Sequence, residues 1–180
     1  QIESVEHRAY DLVSYLGERF PFPDSCFDLV FSNAVLEHVF NLDQVVREIK
    51  RVTKPSGISF HYWHNYLSFS GNHLPEAVNL KFPWGHLTGA STAKMIKTHA
   101  PAGYTLNKLR QTEIVDTFRR HLDDVEVFQC DEHHNRKGID KEFRWEKEEL
   151  LTDQIGKRLR QYDREELLTR EYLVVGRFGR

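Results

Sequence analysis

The stretch FDLVFSNAVLEHVFNLDQVVREIKRVTKPSGISFHY, residues 27–62, decides the fold. It opens with a short run of large apolar and β-branched residues, 27–31, which is typical of a buried strand. A helix is predicted next, because Asn41 can cap it, Gln44 stands at capping-box spacing, and apolar residues then recur with the helical period. Residues 58–62 alternate as a second strand. Strand, helix and strand in this order predict a right-handed crossover between two parallel strands.

The flanking sequence predicts the remaining elements. Lys-Pro-Ser-Gly at 54–57 predicts the end of the helix. Residues 63–102 show no regular pattern apart from a short helix expected within 87–97, and an irregular stretch of this length inside a compact domain is usually functional. The other predicted elements are a strand over 12–16, a helix over 106–122, a strand over 125–128, mostly helix over 137–168 and a strand over 172–176.

Length and composition narrow the class of protein. The chain of 180 residues is long enough for one domain with its own core, and we assign residues 1–180 to a single domain. A net charge of −2 gives no electrostatic reason to expect nucleic acid or an anionic membrane as partner. No apolar run approaches the roughly 20 residues that a membrane span needs. Two cysteines without paired spacing fit a reducing compartment, so we expect a cytoplasmic protein.

Two long motifs resemble a known family. Residues 17–39, GERFPFPDSCFDLVFSNAVLEHV, resemble the stretch E-x-L-P-F-x-(D)-x-x-F-D-x-V-x-S-x-x-V-L-E-H of the type 11 S-adenosylmethionine-dependent methyltransferases. Residues 46–57, VREIKRVTKPSG, are similar to the family's R-E-x-x-R-V-L-K-P-G-G helix end, with Thr53 in place of leucine and Ser56 in place of the first glycine. The two motifs stand in the family's order and spacing.

This resemblance implies both a fold and an activity. The implied fold class is α/β, a Rossmann-like methyltransferase sheet with helices on both faces, whose last two strands form an antiparallel pair. The implied cofactor is S-adenosylmethionine, and the implied reaction is methyl transfer to an oxygen or nitrogen of a small-molecule acceptor. Because the sulfonium carries its own leaving group, the protein would mainly align acceptor, methyl carbon and sulfur.

The cofactor residues are expected where strands end. In an open α/β sheet, ligands bind beyond the carboxyl ends of the strands, so residues just after strands 12–16 and 27–31 would line one crevice. We expect Glu37 to be structural, and for Gly17 the alternative is a simple turn glycine. With the family's contacts carried over, the predicted cofactor-binding residues are Gly17, Glu18, Arg19, Ser32, Asn33, Ala34 and His38.

The family's glycine-rich cofactor loop has no counterpart in this sequence. Such a loop follows the first strand and brings backbone N–H groups close to the ligand, and an acidic residue follows the second strand. No G-x-G-x-G occurs in the 180 residues, and the 16 residues before Gly17 are too few for two strands and two helices. We therefore predict that the N-terminal strands are missing from this chain and that the chain alone does not bind S-adenosylmethionine tightly. Strand 27–31 would then have an exposed edge, which strand 12–16, a second copy of the chain or a missing N-terminal segment could cover. We favour the last two, because the loop over 17–25 is short for a rearranged parallel crossover.

Histidines are frequent in the irregular segment. We predict that residues 63–102 form an insertion that shapes the acceptor pocket, where a histidine takes the proton of the acceptor. The candidate bases are His64, His73 and His86. One alternative is ordinary surface or hydrogen-bonding histidines. The other is a metal site, but the spacings match no ligand motif, so we predict no metal.

These observations leave three functions open. A methyltransferase is favoured. A non-catalytic methyltransferase-like module, which binds a partner or acts as a scaffold, is the alternative. Another Rossmann-like enzyme, such as a dehydrogenase, is disfavoured by the motif NAVLEH at residues 33–38. The fold alone does not identify the acceptor.

Overall fold

The computed structural model describes residues 13–14, 19–89, 106–130 and 148–178 of the chain. The structure of these residues is mixed α/β, with helices beside a sheet of four strands. The strands are β1 (Phe27–Asn33), β2 (Thr53–His64), β3 (Asp124–Cys130) and β4 (Glu171–Arg177). The helices are α1 (Leu42–Val52), α2 (Glu76–Lys81), α3 (Gly85–Thr88), α4 (Gln111–His121), α5 (Asp153–Leu159) and α6 (Arg164–Leu168), and a 3-10 turn spans Leu36–His38.

The strand order in the sheet is β1-β2-β4-β3. β1 and β2 are parallel, with Asn33 opposite Tyr62, which confirms the strand–helix–strand prediction. β4 is antiparallel to both of its neighbours, which confirms the antiparallel last pair. Because β4 runs in the opposite direction, its first residue lies at the same edge of the sheet as the carboxyl ends of β1 and β2.

Helix α1 forms as the sequence predicts. The side chain of Asn41 accepts a hydrogen bond from the backbone N–H of Gln44. The apolar stripe is buried, with Val46 and Val52 at 0 % and 1 % exposure, and it packs against the sheet and α4. Burial of this stripe is the main stabilising contribution of the helix, because intrinsic propensity alone does not hold an 11-residue helix in water.

The helix end predicted from residues 54–57 is confirmed, because α1 ends at Val52, and β2 begins at the next residue, Thr53. Thr53 pairs with Phe27, the register then shifts, and Ile58 pairs with Leu29. The extra residues form an irregularity at the start of the parallel pair. Gly57 is required there, since a Cβ atom would lie 2.6 Å from Cγ2 of Thr53.

Two apolar clusters form the core. The first lies between the sheet and helices α1 and α4, and its centre includes Val46, Trp63 and Phe118. The second joins residues that follow β2 to the helices before β4, around Trp84 and Leu159. The second cluster gives the segment after β2 a packed structure that the sequence pattern did not indicate.

Part of the segment 63–102 is well ordered by asparagine side chains. Asn65 is 1 % exposed, and its Nδ2 donates to the carbonyl oxygens of Glu166 and Thr169 at 2.6 and 2.8 Å. Nδ2 of Asn72 donates to Oδ1 of Asn79 at 2.9 Å. Helix α3 spans Gly85–Thr88, and most of the range 87–97, in which a short helix is expected, lies outside the described part of the chain.

Two other predicted boundaries differ from the structure. The helix expected over 106–122 begins at Gln111, and residues 106–110 are not helical. The start is fixed by the side chain of Glu113, which accepts a hydrogen bond from the backbone N–H of Arg110. Helices α5 and α6 lie in the charged segment 137–168, of which residues 137–147 are outside the described range. Of the strand expected over 12–16, only residues 13 and 14 are described, and they are not in a strand.

β1 is an edge strand of the described sheet. It pairs with β2 on one side, and within the described residues nothing pairs with its other side. Phe31 is 63 % exposed and stacks on Phe60 with ring centroids 5.4 Å apart. Leu29 is 50 % exposed on the same side of the strand. The exposed apolar edge expected for residues 27–31 is therefore present.

Candidate functional site

Polar residues converge where the carboxyl ends of β1 and β2 meet the start of β4. β1 ends at Asn33, whose side chain is exposed, and the chain then turns at Ala34. Ala34 has φ = +53°, and its N–H donates to the carbonyl oxygen of Tyr62 at 2.9 Å. A left-handed conformation is unusual for alanine, and such positions cluster at functional sites.

The 3-10 turn that follows is held by Asn107, from a distant part of the chain. Nδ2 of Asn107 donates to the carbonyl oxygens of Leu36 and Val39, both at 2.7 Å. The backbone N–H of Asn107 donates to the carbonyl oxygen of Glu37 at 2.8 Å. These three bonds fix Glu37 and His38 relative to the strand ends.

Three histidines lie side by side at this edge. The ring centroids of His64 and His73 are 4.8 Å apart, and those of His73 and His38 are 5.6 Å apart. His64 ends β2, His38 ends the 3-10 turn, and His73 has φ = +55°. Burial, with the neighbouring His64 and His38 charges, lowers the pKa of His73 to about 4, so this ring is neutral at physiological pH. We name His38, His64 and His73 the histidine row.

Two buried carboxylates support the histidine row. Oε1 of Glu171 lies 3.1 Å from Nε2 of His64, and Glu171 is 0 % exposed. Oε1 of Glu37, which is 3 % exposed, accepts from the backbone N–H of His64 at 3.4 Å. Burial raises the pKa of Glu37, and burial together with the Glu37 charge raises the pKa of Glu171 to about 7. Nε of Arg170 lies 3.6 Å from Oε1 of Glu171.

The third candidate base, His86, lies in a different environment. Its Nε2 donates to the carbonyl oxygen of Tyr66 at 2.8 Å, and its ring meets the Tyr66 ring edge-on at 5.1 Å. Burial lowers the pKa of His86 to about 4. The structure thus brings His64 and His73 together with His38 and places His86 against Tyr66.

The predicted cofactor residues are distributed along the same edge. Asn33, Ala34 and His38 lie there, and Arg19 is exposed in the loop before β1. The hydroxyl of Ser32 is within 2.9 Å of Nδ1 of His61, which packs on Phe118 in the core beneath the edge. The two remaining residues, Gly17 and Glu18, lie outside the described residues.

Sequence reasoning missed two residues of this site. Glu171 stands one position before the predicted last strand, and Asn107 lies in a segment expected to be helical. No sequence pattern sets the register that brings Glu171 opposite His64. In the described ranges, no group of three or more His, Cys, Asp or Glu side chains is arranged to hold a metal ion.

A surface cavity of about 680 Å³ lies at the other end of β2. Gly57, Asp124 and Arg177 are among its lining residues. Ile58 and Arg177 are paired at that end, whereas His64 and Glu171 are paired at the site. The six residue steps from 58 to 64 separate the two places by about 20 Å along the strand.

The mixed four-stranded sheet, with polar residues at the carboxyl ends of β1 and β2, matches the Rossmann-like methyltransferase fold. Residues 2–61 match a family model described as "Methyltransferase domain", which confirms the resemblance seen in the two motifs. A curated relative, sterol 4-C-methyltransferase strm-1 of Caenorhabditis elegans, is 45 % identical over 40 residues. That alignment covers 22 % of this chain and 12 % of the relative.

A solved structure with a TM-score of 0.50 supports the same fold class. A methyltransferase from Thermotoga maritima, described as a possible histamine N-methyltransferase, matches with a TM-score of 0.50 and 13 % identity, over 90 % of this chain and 61 % of that one. Phosphoethanolamine N-methyltransferase 2 of Haemonchus contortus, in complex with S-adenosyl-L-methionine, matches with a TM-score of 0.46 and 15 % identity, over 89 % and 35 % of the two chains. The chain thus spans less than two thirds of each of these relatives. The α/β Rossmann-like fold class is confirmed.

Among the described residues, no helix is both long and apolar enough to cross a membrane.

Proposed function

We propose that this protein transfers the methyl group of S-adenosylmethionine to an oxygen or nitrogen of a small-molecule acceptor. The observation that carries the proposal is the match of residues 2–61 to the methyltransferase domain family. The polar carboxyl edge of β1 and β2 supports it, because ligands of open α/β sheets bind there. The curated relative is named a sterol 4-C-methyltransferase, so its name supports a small-molecule acceptor but specifies a carbon atom of it, not an oxygen or nitrogen.

The residues at this edge fit one part of a cofactor site. Asn33 offers an exposed amide, and the backbone at Ala34 is left-handed, where the chain leaves the strand. We assign cofactor contacts to both residues and to His38, and to Gly17, Glu18 and Arg19 on the preceding segment. Ser32 would contribute through its backbone, because its hydroxyl already contacts His61. When bound, S-adenosylmethionine supplies an activated methyl group whose leaving group is a neutral thioether.

The acceptor side is assigned to residues 63–102. His64 and His73 stand in the histidine row, beside the cofactor edge, and either ring can take a proton from an acceptor hydroxyl or amine. His86 is kept as the third candidate, although its contact with Tyr66 makes it the weakest of the three. General-base catalysis of this kind contributes on the order of 10²–10⁴ in rate, less than alignment of the reactants.

The cellular location and the partners of the protein are also part of the proposal. We infer a cytoplasmic location, because the chain has two cysteines without the spacing of a disulfide or metal motif. We also infer that nucleic acid is not a partner, because the net charge is −2. A second copy of the chain or an additional N-terminal segment is the expected partner of the exposed β1 edge.

Calorimetry with S-adenosylhomocysteine tests the proposal. The 180-residue chain is compared with the protein expressed from its complete gene. We expect micromolar binding by the complete protein and much weaker binding by the 180 residues. Absence of binding by the complete protein would overturn the enzyme assignment in favour of a non-catalytic module, and micromolar binding by the 180 residues alone would contradict the missing-loop prediction.

Identification of the product tests the acceptor atom. The complete protein is incubated with S-adenosylmethionine labelled with ¹³C in its methyl group, together with a pool of small molecules. The ¹³C chemical shift of the product distinguishes O-methyl, N-methyl and C-methyl groups. A C-methyl product would contradict the proposed oxygen or nitrogen acceptor while leaving methyl transfer itself intact.

A further inference from the structure

Two buried glutamates lie against the end of β2, and most of their carboxylate oxygens have no hydrogen-bond donor. Glu171 is 0 % exposed and Glu37 is 3 % exposed. Within the described ranges, both oxygens of Glu171 and Oε2 of Glu37 lack a hydrogen-bond partner. Nε2 of His64 is 3.1 Å from Oε1 of Glu171, but without the geometry of a hydrogen bond. Three carboxylate oxygens in this described part of the molecule are thus shielded from water without a hydrogen bond in exchange.

The two carboxylates lie around the same residue. Oε1 of Glu37 accepts from the backbone N–H of His64 at 3.4 Å, and Glu171 stands opposite His64 in the β2–β4 ladder. Burial, and after it the charge of Glu37, raises the pKa of Glu171 to about 7. Burial also raises the pKa of Glu37. Each carboxylate therefore disfavours ionisation of the other.

A single proton accounts for the oxygens without donors. An ionised carboxylate only accepts hydrogen bonds, so two ionised carboxylates cannot bond to each other. A protonated carboxyl group donates one hydrogen bond, and the other glutamate has an oxygen free to accept it. Because nearly all buried polar groups in native proteins are paired, burial of the pair favours the form that carries one proton.

The groups around the pair do not replace that proton. The titratable and charged side chains that surround it come from the 3-10 turn, β2, the segment after β2 and the residue before β4: His38, His64, His73 and Arg170. Burial lowers the pKa of His73 to about 4, so this ring is neutral at physiological pH. Nε of Arg170 lies 3.6 Å from Oε1 of Glu171, which is longer than a hydrogen bond. His38 and His64 favour the ionised pair only when they are themselves protonated.

We propose that Glu37 and Glu171 hold one proton between them in the folded protein, and that release of this proton loosens the carboxyl edge of the sheet. The pair is a pH-sensitive contact between the 3-10 turn, which carries Glu37, and β4, which begins at Glu171. The inference concerns the folded chain itself, so it does not depend on methyl transfer.

Proton linkage gives the sign of the effect on stability. The pKa of Glu171 is about 7 in the folded protein, against an ordinary value of 4.5. Between these two values the folded state binds more protons than the unfolded chain, so the pair costs the native state stability as pH rises through that window. Above it both carboxylates are ionised, and their repulsion is strong because little water screens it.

Release of the proton acts on the bonds that Glu37 makes. Its Oε1 accepts from the backbone N–H of His64, and its carbonyl oxygen accepts from the backbone N–H of Asn107 at 2.8 Å. Repulsion between the two carboxylates pushes the 3-10 turn away from the start of β4. We therefore expect these two N–H groups to lose protection from hydrogen exchange.

Carbon NMR of the glutamate carboxyl groups tests the proton directly. In the protein expressed from its complete gene, the pair should titrate with an apparent midpoint of about 7. Glu37→Gln keeps an oxygen for the N–H of His64 and removes the neighbouring charge, so the midpoint of Glu171 should fall. Titration of both wild-type carboxyls below about pH 5, as in ordinary glutamates, would overturn the proposal.

Urea unfolding of the same protein is the second readout. Because Glu171→Gln is neutral at every pH, its urea midpoint should rise relative to that of the wild type between pH 5 and 7 and then stay level. Glu166→Gln is the matched control, since Glu166 is also buried but pairs with Arg110, and its midpoint difference should not rise. The same pH dependence in both differences would contradict the shared proton. If Glu171→Gln does not fold, the wild-type carboxyl titration alone decides.

Hydrogen exchange tests the loosening separately from the proton. In the wild type, the protection of the N–H groups of His64 and Asn107, corrected for intrinsic exchange, should fall several-fold from pH 6 to pH 8. The N–H of Leu122, which donates to the carbonyl oxygen of Phe118 in α4, is the reference and should keep its protection. Protection of His64 and Asn107 that is unchanged, or that falls equally at Leu122, would show that release of the proton does not loosen this edge.

Discussion

The hydroxyl of Ser32 on β1 lies 2.9 Å from Nδ1 of His61 on β2, beneath the edge where the strands end. His61 is 1 % exposed, and burial lowers its pKa to about 3. The folded protein therefore holds this histidine neutral over a pH range in which the unfolded chain, with an ordinary pKa near 6.5, takes up a proton. The unfolded state binds more protons between these two pKa values, so the native state must lose stability as pH falls through that window.

The first prediction follows from this proton linkage. The free energy of unfolding should decrease by up to about 1.4 kcal/mol per pH unit below pH 6.5 from His61 alone. In His61→Asn the amide oxygen can still accept from Ser32, so the variant should fold, with a lower free energy of unfolding at pH 7.5 and a shallower loss in acid. Urea titrations at pH 7.5, 6 and 5 measure both slopes. An acid dependence identical in the two proteins would contradict the prediction.

Asn107 provides the second prediction. Its side chain donates to two carbonyl oxygens of the turn between β1 and α1 and accepts from the backbone N–H of Leu109. Asn107→Ala removes these three hydrogen bonds, although the carbonyl oxygen of Leu36 keeps the backbone N–H of Val39 as a donor. We therefore expect a loss of about 2–4 kcal/mol in the free energy of unfolding, measured by urea titration.

Asn33→Ala is the control for Asn107→Ala. Asn33 is exposed and lies at the proposed cofactor edge. Loss of the Asn33 amide should leave the free energy of unfolding within about 0.5 kcal/mol of the wild-type value. The same substitution should weaken S-adenosylhomocysteine binding by the complete protein. The prediction fails if both variants have the stability of the wild type.

The sequence predicts the elements of this fold better than the site. Asn41 and the apolar stripe of α1 define a helix because capping and periodicity are local properties. The same reasoning predicts the parallel β1–β2 pair, since strand, helix and strand leave few topologies. The contact of Glu171 with His64 depends on strand register, and that of Asn107 with Leu36 joins residues 71 positions apart, so neither leaves a local pattern.

Residues after β2 illustrate the same distinction. The asparagines, glycines and aromatic residues of segment 63–102 predicted an irregular structure. In the structure, the side chains of Asn65 and Asn72 form hydrogen bonds with backbone groups that a helix or sheet would otherwise pair. Trp84 then fills the second core cluster at 0 % exposure, with its indole N–H donating to the carbonyl oxygen of Leu67. The composition of the segment after β2 is typical of a loop, but its structure is determined by these tertiary contacts.

A matched pair of glycine substitutions gives the third prediction. At Gly57 a Cβ atom would lie 2.6 Å from Cγ2 of Thr53 and 3.0 Å from the carbonyl oxygen of Asp28, so Gly57→Ala should destabilise the protein by about 1–3 kcal/mol. At Gly156, in α5, nothing lies within 4 Å of the added Cβ, so Gly156→Ala should stabilise by about 0.5–1 kcal/mol. Thermal unfolding of both variants checks the opposite signs, and equal shifts in Tm would contradict the assigned register of β2.

The last prediction concerns the open edge of β1. Phe31 and Leu29 are 63 % and 50 % exposed, and in the described residues β1 has a strand partner on one side only. An exposed apolar edge strand pairs readily with another chain, so the 180-residue chain should self-associate as its concentration rises. Phe31→Asp should shift the sedimentation velocity profile towards the monomer, because a charge on the edge opposes strand pairing. Phe40→Asp is the control, since Phe40 is 69 % exposed but lies outside the strands. A monomeric wild type, or association lost equally in both variants, would show that β1 is not the contact.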